Sequence, residues 1–410
     1  MHRSQVTTDV ELHGAAAITA TGVSRAPLPV RAARIGDAPA ARARRFELRD
    51  HLVFPGLINA HDHLHLNAVP PLRAGAPFPD SYAWIEAFQA HFERPEVAAA
   101  LRVPKATRLR HGGLKNLLAG ATCVAHHDPW HPALDDADFP VALLRDFGWS
   151  YALGWPQYGP PVRESFAATP PDRPWLIHLA EGTDEAAQAE LAQLDRLGCL
   201  QPNSVLIHGV GMREADVGRV IAVGAAVVWC PRSNLTLLGR TLDPRRLHAA
   251  GRLALGTDSR LSGARDLLDE LRGVVDRHPL DPRQLLGLVT TAAARILRLP
   301  SRGRLAPGAR ADLVIVEDRG GDEARSLVGI DRSRIRAVVR DGMPRIADPD
   351  FAEWFELAGV EAVPVLLDGR PKLLDKALAD PAAIALEPGL ERAEGSTKPA
   401  HEVALRGECC

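Results

Sequence analysis

The chain has 410 residues, 46% of them hydrophobic, and its 49 Lys and Arg nearly cancel its 51 Asp and Glu, leaving a formal net charge of −2. That balance gives a polyanion no footing, so nucleic acid is not an expected partner, and no apolar run approaches the roughly 18 residues of a membrane span. The length asks for two domains or one large barrel with an appendage.

Only Lys105, Lys115, Lys372, Lys376 and Lys398 are lysines, so arginine dominates the basic residues. The five cysteines, Cys123, Cys199, Cys230, Cys409 and Cys410, are widely spaced and form no CxxC. They do not make a disulfide framework, and a cytoplasmic location is expected. The opening MHRSQVTTDVELHG has no charged stretch leading into an apolar core, so no signal peptide is expected.

Residues 1–53 contain short β-like pieces such as AAAITATGV and are expected to form one part of a small β-sandwich domain. The texture changes at FPGLINAHDHLHLN, residues 54–67. Its apolar start reads as a buried strand. Alternate residues of a strand share a face, so His61 and His63 point at one spot, half of a tetrahedral metal site. A His-rich loop is the plain alternative. GATCVAHHDPW, residues 120–130, ends another strand, with His126 and His127 facing opposite ways.

Strands and helices then alternate. PWLIHLAEG precedes TDEAAQAELAQLDRLG, SVLIHG precedes READVGRVIAVG, AAVVWCP precedes DPRRLHAAG after a loop, and RLALGTDS precedes ARDLLDELRGVVDR. His178 to His208 is 30 residues, His208 to Cys230 is 22 and Cys230 to Asp258 is 28, each about one β/α unit. Each polar residue ends its strand, where a (β/α)8 barrel places its active site. A barrel over 54–304 is therefore expected. A doubly wound sheet is the second choice, because it does not bring so many strand ends to one point.

GRLAPGARADLVIVED and IRAVVRDGMPRIAD read as strands with Pro-Gly and Asp-Gly turns. Residues 305–365 are expected to complete the β-sandwich, and 366–410 to form a C-terminal extension whose polar end is disordered. There is no internal repeat.

Taken together, FPGLINAHDH, HLAEG, LIHG, CPRSN and LGTDS, in that order, resemble the amidohydrolase superfamily, in its cytosine-deaminase and triazine-hydrolase-like branch. The likeness covers roughly residues 50–320. It implies a metal held by His61, His63, His178 and Asp258, with one position left open for water, as a catalytic site requires. It implies that Glu181 moves protons and that His208 hydrogen-bonds the water and polarises the substrate. Two-metal members of the superfamily use a carboxylated lysine on the fourth strand. None lies between Lys115 and Lys372, so a single divalent ion is expected, zinc first and iron second, unless Glu181 bridges a pair.

Other residues are candidates for substrate. His65 is a pocket residue or a plain loop histidine. One of the pair ending in His127 reaches the pocket. Trp130 covers a heterocycle or belongs to a structural loop. Arg232 and Arg260 suit a carboxylate or phosphate on the substrate, or pair with scaffold carboxylates such as Asp266 and Asp269. The expected activity is hydrolysis of carbon–nitrogen bonds in a small molecule, favouring deamination of a heterocyclic or amidine-like group. Cyclic amide hydrolysis is the alternative enzyme. A non-catalytic metal-binding homologue is the alternative from another class, and the presence of Glu181 argues against it. A homodimer is left open.

Overall fold

The computed structural model describes residues 9–38, 42–72, 75–275, 277–278 and 280–393. Eight parallel strands follow one another in sequence: β1 (Leu57–Asp62), β2 (Ala121–His126), β3 (Ala142–Leu143), β4 (Gly148–Trp149), β5 (Trp175–Leu179), β6 (Ser204–His208), β7 (Ala226–Trp229) and β8 (Leu253–Leu255). They form two ladders, β3–β2–β1 and β4–β5–β6–β7–β8. The turn after β8 closes onto β1, where the Thr257 and Asp258 amides both donate to the His61 carbonyl at 3.1 Å. Gly256 makes this closure possible, since a Cβ there would lie 2.8 Å from the Cβ of His61.

Strand–helix alternation fails at two neighbouring places: only the 3-10 turn Pro132–Asp135 lies between β2 and β3, and nothing helical lies between β3 and β4. Only residues 144–147 separate β3 from β4, about one helical turn, so no crossover helix fits between them. That gap departs from the regular pattern expected of the barrel. It accounts for the compact stretch between His127 and His178.

Both ends of the described chain build one nine-stranded sheet. In it His51–Pro55 pairs antiparallel with Leu313–Glu317, Val53 opposite Ile315. A four-stranded sheet of Val10–His13, Leu28–Arg31, Arg34–Ile35 and Arg44–Glu47 accompanies it. Side-chain alternation explains the unbroken apolar runs. Val53, Leu313 and Ile315 pack with Val10, Leu12 and Val30 of the smaller sheet. Their neighbours Leu52, Phe54, Val314 and Val316 join the main core with barrel residues. A sheet covered on both faces needs apolar residues at every position.

Three boundaries differ from expectation. The sheet strand His51–Pro55 runs past residue 53, so the barrel starts after it. A break after residue 365 would cut the strand Ala362–Leu367, which pairs with Arg370–Asp375 and with Leu390–Arg392. Residues 366–392 therefore continue the nine-stranded sheet. Leu390–Arg392, expected as part of the disordered tail, is a strand. The remaining tail, 394–410, lies outside the described residues. Among the described residues no helix is long and apolar enough to cross a membrane.

Candidate active site

His61 ends β1 one residue before its last position, and His63 opens the short turn Leu64–Leu66. Their rings meet edge to face, 4.8 Å between centroids. His178, next to last in β5, brings its Nε2 within 3.2 Å of His63 Nε2. Asp258 follows β8 and places Oδ1 3.6 Å from His63 Nε2 and 3.8 Å from His61 Nε2. Ligands about 2.0–2.1 Å from one ion sit roughly 3.3–3.4 Å from each other in a tetrahedron. The spacing fits.

The tautomers fit as well. His178 Nδ1 donates to the Tyr151 carbonyl at 2.9 Å, and His63 Nδ1 donates to Asp128 Oδ2 at 2.8 Å. Each bond leaves an Nε2 lone pair facing the cluster, the usual arrangement behind a metal-ligating histidine. Asp258 Oδ2 accepts from Ser233 at 2.7 Å and Ser262 at 2.8 Å, which leaves Oδ1 free. His61 is fully buried, and neither ring nitrogen has a hydrogen-bond partner. An orphaned buried nitrogen costs about 1–3 kcal/mol, and a metal ion would remove that cost.

Burial pushes the His61 and His178 pKa values well down, and the neighbouring histidines push the same way. Burial also opposes charge on His63, but Asp128 outweighs it and raises that imidazole to about 9. A metal must displace this proton. Burial works against the Asp258 carboxylate, yet His63, His208 and the two serines hold its pKa below the usual value.

Glu181 lies past β5, after Ala180, whose φ is +52°. His208 at the end of β6 has φ +74°, and Asp258 has φ +54°. Three non-glycine residues in the left-handed region, at the ends of β5, β6 and β8, mark strain gathered at a functional site. Glu181 Oε1 is 3.2 Å from His208 Nε2. Asn234 Nδ2 donates to Thr241 at 3.0 Å, so its Oδ1 accepts from His208 Nδ1 at 2.8 Å. In neutral His208 that leaves Nε2 as an acceptor facing Glu181. Burial raises the Glu181 pKa, with Asp258 adding and His208 opposing.

The cavity beside this cluster holds about 60 Å³ and is lined by Leu66, Trp84, Ile85, Tyr151, Tyr158 and Leu237 around the polar groups. A cavity of about 300 Å³ between the edge strand Gly22–Ser24 and Thr290 is larger but holds none of these groups. The chemistry, not the volume, decides between them.

The five predicted substrate residues do not line the small cavity. His65 is buried in the turn after His63, with Nδ1 3.5 Å from Asp128 Oδ2. His127 is fully buried, donates to the Ser150 carbonyl at 3.0 Å, and stacks on His178 at 4.4 Å. With His61 and His178 it makes one of the converging groups that could hold a metal ion. Trp130 is 40% exposed, donates to Asp135 and carries the Arg145 guanidinium over its ring. Arg232 opens the helix Pro231–Leu238, which turns its side chain outward to within 3.8 Å of Asp269. Arg260 is bound through both NH groups to Glu387, each at 2.8 Å. Both arginines pair with carboxylates, Arg260 with one from the C-terminal extension, and both line a cleft of about 460 Å³ that shares Leu237 and Ser262 with the small cavity. Asp128, Asn234, Ser233 and Ser262 were not anticipated, although Asp128 sits in HHDPW and two of the others in CPRSN.

The amidohydrolase family profile matches residues 166–344. The chain is 27% identical over 333 residues to a 5-methylthioadenosine/S-adenosylhomocysteine deaminase of Nitratidesulfovibrio vulgaris, covering 68% of this chain and 74% of that one. It is 26% identical over 350 residues to an 8-oxoguanine deaminase of Pseudomonas aeruginosa, covering 67% and 76%. These matches support the amidohydrolase superfamily, in its metal-dependent aminohydrolase branch.

This amidohydrolase is a hydrolase of carbon–nitrogen bonds. Its fold is shared with a zinc-bound adenosine deaminase of Xanthomonas campestris (TM-score 0.64, 21% identity, 86% of this chain and 97% of that one). It is also shared with an atrazine chlorohydrolase of Arthrobacter aurescens complexed with zinc (TM-score 0.65, 18% identity, 85% and 100%). Its clustered His and Asp side chains can hold a metal ion.

Proposed function

We propose that this amidohydrolase deaminates a neutral amino-heterocycle, using one zinc ion held by His61, His63, His178 and Asp258. The observation that carries the reading is the pair Glu181 and His208, 3.2 Å apart, beside that cluster. When bound, the ion supplies Lewis acidity that brings the ionisation of water near neutrality. The other steps belong to the chain. Glu181 takes the proton from the attacking water and delivers it to the departing amine nitrogen. His208, fixed by Asn234, holds its ring toward the same carboxyl and toward the reacting carbon's substituent.

A neutral ring is supported by the lining. Trp84, Tyr151 and Tyr158 supply aromatic surface, and no Lys or Arg borders the cavity. The deaminase relatives support amine loss over ring opening.

The test is an ammonia-release screen of zinc-loaded protein against aminopurines, aminopyrimidines and adenosine-type nucleosides, with cyclic amides in parallel. The expected result is ammonia released one to one with substrate consumed. Turnover confined to the cyclic amides, with no ammonia, overturns the reading.

A further inference from the structure

A second cluster lies behind His63. His65, His126 and Asp128 are 8%, 1% and 3% exposed, and one ligand atom from each falls within 4.8 Å of the others. Asp128 Oδ2 is 3.5 Å from His65 Nδ1 and 3.7 Å from His126 Nδ1. These lengths are close to a tetrahedral edge, about 3.3–3.4 Å for metal–ligand bonds of 2.0–2.1 Å.

The protons decide what the cluster can be. His126 Nδ1 accepts a long contact from the Leu64 amide at 3.3 Å, so its ring proton sits on Nε2, and an ion would take over the Nδ1 lone pair from that contact. His65 Nδ1 is buried with no hydrogen-bond partner. Asp128 accepts from His63 through Oδ2 at 2.8 Å and from Tyr158 through Oδ1 at 3.2 Å. Neither His65 nor His126 donates to it. Two imidazole nitrogens and a carboxylate oxygen thus converge with no hydrogen bond among the three. Electron-rich atoms facing each other in a dry site are unfavourable without a cation.

We infer that His65, His126 and Asp128 form a second divalent-cation site, separate from the His61, His63, His178 and Asp258 cluster and sharing no ligand with it. Two imidazoles and one carboxylate select a borderline cation such as zinc or cobalt over magnesium or calcium. A fourth position is left for water. The site touches the first only through the Asp128 hydrogen bond to His63, so an ion here would fix the carboxylate that orients a ligand of the other ion.

The experiment counts ions in the full-length protein. Chelator-stripped protein is loaded with cobalt, freed of excess by gel filtration, and analysed for bound metal. Wild type should hold two equivalents. His65→Ala and His126→Ala should each hold one, and His178→Ala should lose the other. One equivalent in wild type, two in both histidine variants, or none in either overturns the separate site. If those variants fail to fold, anomalous scattering from cobalt-loaded wild-type crystals decides. A peak among His65, His126 and Asp128 supports the site, and a peak only at the first cluster sinks it. Loss of ammonia release with both ions in place would count against the proposed deamination and leave this site standing.

Discussion

Between Glu181 and His208 one proton must sit somewhere. Asn234 Oδ1 accepts from His208 Nδ1, which turns Nε2 toward Glu181, and burial raises the Glu181 pKa. Ser81 also hydrogen-bonds Glu181 and holds it in place. Glu181 lies outside the converging ligand atoms, so Glu181→Gln should keep its metal while turnover falls by about 10²–10⁴, the usual worth of a proton-transfer group. Parallel metal analysis and steady-state kinetics check this. Loss of metal along with activity would make Glu181 a ligand instead. At this scale His61, His63, His178 and Asp258 were legible because each lies at or just past a strand end, where side chains converge. Asp128, Asn234, Ser233 and Ser262 were not, because they act through hydrogen bonds to ligands and carry no spacing of their own. Arg232 sits at the margin of the site, lining the adjoining cleft rather than the small cavity. Pro231 already starts a helix there, which sets Arg232 within 3.8 Å of Asp269.

The C-terminal strands illustrate what element-level reading misses. AVPVLLDGRPKLLD has the Asp-Gly signature of a tight hairpin, and Asp368 and Gly369 take φ values of +48° and +79° in its turn. The later placement of Glu387 has no local signal. The segment runs from that hairpin through the helix Pro381–Ala385, which sets Glu387 against His111, Arg260 and Arg332. Arg260 is two residues beyond Asp258, so the extension braces the loop that carries a candidate ligand. Burial alone would raise the Glu387 pKa, but the hydrogen bonds from His111 and Arg260 and the charges of Arg260 and Arg332 hold it well below the usual value. A folded pKa below the unfolded one means the stabilisation is fully present above about pH 4.3, the unfolded glutamate value, and is lost progressively as pH falls from there through the depressed folded value. Removing one partner of a buried ion pair costs about 3–5 kcal/mol. Glu387→Gln should therefore lose about that much at pH 7, and its stability should fall less than wild type's between pH 5 and pH 3. Urea melts at both ends of that range measure it. Equal pH slopes for the two proteins would show that Glu387 does not titrate with unfolding. Arg260→Met should likewise lower the melting midpoint while leaving the substrate's KM near its original value; a KM raised tenfold would restore the anionic-substrate reading.

At the scale of the molecule, the barrel was readable from four strand–helix pairs stepping by 22–30 residues, but β3 was not, because a two-residue strand shows no period. That sector is also where the barrel is thinnest. β4 meets β5 through only Gly148 opposite Trp175 and Trp149 opposite Leu176, whereas β5 meets β6 over five pairs from Trp175–Ser204 to Leu179–His208. No helix covers the link between β3 and β4. Segments with few ladder bonds open locally at lower free energy than the core. Yet this sector holds the site in place. The Tyr151 carbonyl orients His178, and the Ser150 carbonyl holds His127. Metal bound to His178 and His63 should then lend stability to residues 148–151, since whatever binds the closed form opposes opening. In hydrogen exchange of metal-free protein, the amides of 142–151 should exchange about a hundredfold faster than those of Ile177 and Leu206, a gap of roughly 2.8 kcal/mol at 1.4 per decade. Zinc should narrow that gap, most of all at Ser150 and Trp149, without changing exchange in the distant hairpin Ala362–Asp375. Uniform protection in the metal-free protein would mean that the short strands are as firmly held as β5 to β7. Protection that zinc leaves unchanged would break the link from the ion through His178 to the backbone of this sector.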